Sequence, residues 1–153
     1  MIQNLNLFQQ VQTYIDIFYE PEPDWGVVCC GQLTEPELLD ELEPTFSQTL
    51  FRFIKQQNLS EIECYKNANL DRRLFSKIRS NDAYTPKKDT VFALILGLKL
   101  DLPDARRLLE SAGYSLSHSF KKDTIIEYLI SQNIYDIITV NDILDSFGCS
   151  ILG

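Results

Sequence analysis

The stretch Ser60-Glu-Ile-Glu-Cys-Tyr-Lys-Asn-Ala-Asn-Leu-Asp-Arg-Arg-Leu-Phe-Ser-Lys-Ile-Arg-Ser-Asn81 decides how this 153-residue chain reads. Ser60 followed three residues later by Glu63 is a capping box, which opens a short helix by satisfying free backbone N–H groups at both positions. Asn67, Ala68 and Asn69 then bring a turn, and asparagine is the best non-glycine residue for a left-handed backbone position. Asp71 is a good N-cap for a second helix from Arg72 to about Ser80. Within it Phe75 and Ile78, three apart, face a core. Arg72, Arg73, Ser76, Lys77 and Arg79 are left on the exposed side.

Working outward, the same signals continue on both sides. Upstream, Phe46, Leu50, Phe53 and Ile54 lie at helical spacing in a segment opened by Thr45 or Ser47 and running to about Asn58. Downstream, Asn81 to Pro86 reads as a loop. A helix from about Lys87 to Lys99 follows, apolar nearly all round, as a central buried helix must be. Asp101-Leu-Pro-Asp104 caps the next, Ala105 to Ala112, with Gly113 as its terminating glycine. Residues 45–114 therefore predict a five-helix domain. An acidic helical segment, 1–44, precedes it. There Leu5, Phe8, Val11, Ile15 and Phe18 form one apolar stripe, and Pro21 ends the helix. Val27 to Cys30 is a short strand or loop pattern, and Thr34 to Leu42 reads as a further short helix. A C-terminal helical extension, 115–153, predicts helices near Lys121–Gln132 and Asn141–Phe147, the latter with Asn141 as N-cap and Gly148 as stop. The fold class expected is all-α.

Charge separates these segments. The formal net charge of the chain is −8, which taken alone speaks against a nucleic-acid binder. Residues 1–44 hold nine acids and no Lys or Arg, whereas residues 45–114 hold twelve bases and eight acids. The extension carries two bases and five acids. From Asp71 to Lys88 there are six bases and two acids, so positive charge concentrates on and just after the second short helix. A helix with apolar anchors inside and bases outside, held at the end of a tight turn, suits a major groove about 12 Å wide.

On these residues, 46–114 resembles the lambda-repressor-like (XRE-type) DNA-binding domain, five helices of which the second and third form a helix-turn-helix. The run Asp71-Arg-Arg-Leu-Phe-Ser-Lys-Ile-Arg79 and the ending Ser146-Phe-Gly-Cys-Ser-Ile-Leu-Gly153 look like a bacterial subgroup that appends this domain to diverse effectors. The resemblance implies binding of double-stranded DNA, commonly as a homodimer, and a role in transcription regulation, in a bacterium or phage. It puts Arg72, Arg73, Ser76 and Lys77 at positions that touch base edges. Arg79, Lys87 and Lys88 would suit phosphates, with Ser60 and the first amides of its helix holding one more. Three positions depart from the family pattern. Glu61 stands where a phosphate-contacting Gln is frequent, Tyr65 replaces a small residue, and Asn69 replaces the turn glycine. A second reading keeps the motif only as scaffold. In it the chain is an adaptor or inhibitor in a bacterial or phage effector system, binding a protein partner through its N-terminal or C-terminal helices, which are also the expected dimer surfaces. A third idea has the acidic segment 1–44 folding over the basic helix and competing with DNA phosphates.

Other classes have less to stand on. His118 is the one histidine, in a Ser-rich loop without a nucleophile elbow or Gly-rich phosphate loop, so no enzyme and no catalytic residue is expected. Cys29, Cys30, Cys64 and Cys149 contain no C-x-x-C pair, so neither a metal site nor a cofactor is expected. No apolar run approaches the roughly 18–20 residues that cross a bilayer. Met1 to Glu20 has no Lys or Arg, unlike a signal peptide, and a cytoplasmic protein is expected.

Overall fold

The structure is a computed structural model that describes residues 2–21 and 43–153. Among them are eight helices and no strand, so the chain is all-α there. In chain order they are α1 (Ile2–Phe18), α2 (Phe46–Gln56), α3 (Glu61–Asn67) and α4 (Arg72–Ser80), then α5 (Lys88–Leu98), α6 (Leu102–Ser111), α7 (Lys121–Ser131) and α8 (Ile137–Ser146). The strand-or-loop pattern at 27–30 and the short helix expected at 34–42 lie outside the described residues.

Side-chain caps fix most of the helix starts. Thr45 and Gln48 form a capping box on α2, and Ser60 and Glu63 form another on α3. Asp71 and Asp101 accept backbone N–H groups at the starts of α4 and α6, where Pro103 stands in the first turn and has no N–H to lose. The chain leaves the helices through left-handed residues, among them Asn58, Asn69, Lys99 and Gly113.

The last helix departs from its expected start. α8 begins four residues before Asn141, at Ile137, with Asp136 as its cap. The Asp136 carboxylate accepts from both the backbone N–H and the hydroxyl of Thr139, at 2.9 and 2.8 Å, and those bonds hold its pKa below the ordinary carboxylate value. Asn141 lies inside the helix and faces the tail. Its side chain donates to the carbonyl of Leu152 at 3.0 Å and accepts the Leu152 N–H at 2.7 Å, seating Leu152 in the core. A residue of cap type here serves a partner eleven residues away instead of the next turn of helix.

One apolar cluster runs through the described helices, from Val11 and Ile15 of α1 to Leu144 of α8 and Leu152. α5 is its axis, with every residue from Val91 to Leu98 buried. Gly97 brings α3 against it. A Cβ on Gly97 would lie 2.9 Å from the backbone nitrogen of Ala68 and 3.0 Å from the carbonyl oxygen of Cys64. Only a residue without a side chain permits that approach. It fixes α3, and with it the turn and α4.

α1 packs on α7, where Tyr128 meets the Tyr14 ring at 4.8 Å and donates its hydroxyl to Gln10. Phe8 stacks on Phe147 just beyond α8 at 4.7 Å. The aromatic end of α1 is likewise used within the chain. Phe18 meets the His118 ring obliquely at 5.7 Å, and the Glu20 N–H donates to the His118 carbonyl. The two terminal helical segments thus cover one another. No helix of the described residues is long and apolar enough to cross a membrane.

Candidate nucleic-acid interface

The α3–turn–α4 unit is built from local chemistry outward. The α3 helix ends at Asn67, and the N–H of Asn69 bonds to the carbonyl of Lys66 while that of Leu70 bonds to Tyr65. This closure needs a left-handed residue, and Asn69 supplies it at φ 52°. Asp71 then caps α4 by accepting the Arg73 N–H at 2.8 Å. Phe75 and Ile78 are buried. Phe75 meets Phe51 of α2 edge-on and Tyr65 of α3 obliquely, each at 5.9 Å between ring centres. Tyr65 is therefore half-buried packing, while Cys64 and Ala68 make the close contact with α5. Burial pushes the Cys64 thiol pKa up to about 12, with the Glu61 charge a smaller contribution, so the thiol stays neutral.

The exposed side of α4 divides into two stripes. Arg73 and Lys77, four apart, form one and face solvent. Neither has an ion-pair partner among the described residues, and the same holds for Arg72 and Lys87. Arg72, Ser76 and Arg79 form the other, lining a shallow groove with Glu61, Ile62 and Tyr65 of α3. Ser76 turns its hydroxyl back to the Arg72 carbonyl at 3.0 Å.

Besides Ser76, three of the eight residues proposed from sequence are engaged within the chain. Arg79 donates through Nη2 to the Glu61 carboxylate in an exposed pair. Ser60 gives both its N–H and its hydroxyl to Glu63 at 2.8 Å, which holds the Glu63 pKa below the ordinary value. A phosphate at this end of α3 would find the Ser60 N–H and hydroxyl taken, with two carboxylates beside them. Lys88 points away from α4. Its Nζ lies 2.5 Å from the Asp123 carboxylate of α7, which is 4% exposed and also accepts the Ser117 N–H at 3.0 Å.

Sequence reasoning missed this junction. Lys122 reaches back from α7 to Asp89 at 2.7 Å, so residues 88 and 89 of α5 cross-pair with 122 and 123 of α7. Charged neighbours at the start of each helix were the available signal, but pairing over more than thirty residues cannot be read from local spacing. His118, alone in sequence, lies 2.5 Å through Nε2 from Glu127, which also accepts from Arg106 at 2.8 Å. Among the described residues no group of three or more His, Cys, Asp or Glu side chains could hold a metal ion.

The arrangement left on the surface is a short helix with free guanidinium and ammonium groups at its start and middle, and one neutralised pair at its far end. No protein-family model, no curated protein and no solved structure matches the chain.

Proposed function

We propose that the chain is a DNA-binding protein of the lambda-repressor-like helix-turn-helix type, with a role in transcription regulation, and that α4 is its recognition helix. The observation that carries this reading is the set Arg72, Arg73, Lys77 and Lys87. All four are exposed and without an ion partner among the described residues, around a helix anchored by Phe75 and Ile78 after a left-handed turn. Arg72 and Arg73 stand at the start of α4, where a groove-inserted helix reads base edges, and an arginine can take O6 and N7 of guanine together. Ser76 and Lys77 lie one turn on. Lys87, across the 81–86 loop, suits a phosphate.

The test is binding to a mixed-sequence duplex across a salt series, by mobility shift or fluorescence anisotropy. On a mixed-sequence duplex four bases that each neutralise about one phosphate charge correspond to a slope of log K against log salt of about −3 to −4. Arg72→Ala/Arg73→Ala should flatten the slope and weaken binding more than tenfold at low salt. No binding at 50 mM salt and about 100 μM protein would reject the reading, since non-specific complexes typically lie in the 10⁻⁴–10⁻⁶ M range. The adaptor or inhibitor reading has one observation in its favour, the two carboxylates Glu61 and Glu63 at the start of α3. It would gain from that negative result.

A further inference from the structure

Arg79 sits in the last turn of α4, and its guanidinium is taken by Glu61, the first residue of α3. The two side chains are 60% and 34% exposed, so the pair lies in water at the edge of the α3–α4 groove. The α3 cap does not need Glu61, because Ser60 and Glu63 form it by themselves. Arg79 is also not needed to anchor α4, whose buried residues are Phe75 and Ile78. A carboxylate and a guanidinium with no evident packing duty thus neutralise one another on the face that otherwise carries unpaired bases.

We infer that Glu61 is an affinity-setting residue of the α4 surface, a tethered competitor that withholds Arg79 from the DNA phosphates. The inference rests on the DNA-binding reading. Each base that neutralises a phosphate releases counterions and adds about 0.9 to the salt slope. A base held by a carboxylate of its own chain contributes less, and any phosphate that approaches it also meets the carboxylate. Arg73 and Lys77, on the neighbouring stripe, keep their full contribution. Glu61 therefore lowers affinity for every sequence through the backbone term and leaves base reading to the start of α4.

The experiment compares wild type, Glu61→Gln, Glu61→Gln/Arg79→Ala and Glu110→Gln on one mixed-sequence duplex over a salt series. Glu110→Gln changes the net charge by the same amount as Glu61→Gln, but at an exposed position on α6. Glu61→Gln should bind about three- to tenfold tighter at 50 mM salt, with a slope steeper by about 0.9. The added Arg79→Ala should remove that steepening, and Glu110→Gln should stay within twofold of wild type. Equal slopes for wild type and Glu61→Gln, or an equal gain from Glu110→Gln, overturn it while DNA binding stands. If no variant binds at low salt, the DNA reading and the inference fall together.

Discussion

Arg79 and Lys88 look alike in sequence, each a base in the +4 stretch around the second short helix, yet the structure gives them opposite circumstances. Arg79 pairs with Glu61 in the open, whereas Lys88 pairs with an Asp123 that is almost entirely buried. An exposed pair is worth little, because water and salt screen it and two long side chains must be held in place. A buried carboxylate is different. Once desolvated it must keep its counter-charge and hydrogen bonds, or the fold carries an uncompensated charge. The α3–α4 edge is therefore an adjustable surface, and the α5–α7 junction is a structural joint. Net charge along a sequence does not distinguish them; the burial of the acidic partner does.

The largest effect is expected at Lys88. Lys88→Ala should leave Asp123 with only the Ser117 N–H and lower stability by about 3 kcal/mol, within the range for stranding a buried charge. Lys87→Ala, one residue away and exposed, should cost under about 0.5 kcal/mol. Urea unfolding of the two variants measures the contrast, and equal losses would remove the distinction between joint and surface. Next in size is the helix contact that sets the surface in place. Gly97→Ala should cost about 2 kcal/mol through overpacking, since its Cβ would press on backbone atoms of α3 that cannot step aside. Chemical denaturation would show that loss as a lower midpoint at an unchanged slope.

A smaller effect comes from Cys64, behind the surface. Its folded pKa lies above the unfolded value, so the folded state keeps a proton that the unfolded chain gives up. The contribution to stability is whole below about pH 9 and declines as pH rises from there towards 12. In line with this, iodoacetamide at pH 8 should leave Cys64 unmodified in the native protein and label it after denaturation, as read by peptide mapping. Labelling in the native state would mean that α3 does not stay seated on α5. Smallest of all, Glu61→Gln should shift the unfolding free energy by less than about 0.5 kcal/mol, because Arg79 is exposed and Glu61 is only half-buried, so water screens the pair. A larger loss would place the Glu61–Arg79 pair with the structural joint instead of the surface.

What could be read from sequence follows the range of the interactions. The caps Ser60, Asp71 and Asp101, the turn residue Asn69, the anchors Phe75 and Ile78 and the buried α5 are all set by neighbours within a few residues. Asn141 has the local signature of a cap, but its partner is Leu152 rather than the next turn of helix. The partners of Arg79 and Lys88 lie eighteen and thirty-five residues away, so composition could place these bases near one another but could not say which were spent. Gly97 gave no sign at all, since a glycine inside an apolar helix acquires its meaning only from what lies against it.

The central claim, that α4 presents a DNA-reading surface, is tested most directly by mapping amide shifts in the two-dimensional NMR spectrum while a duplex is titrated in at low salt. The largest changes should fall on Arg72 to Lys77 and on Lys87, with α1, α7 and α8 unmoved. No change, or changes centred on the α1–α7 face, would contradict it.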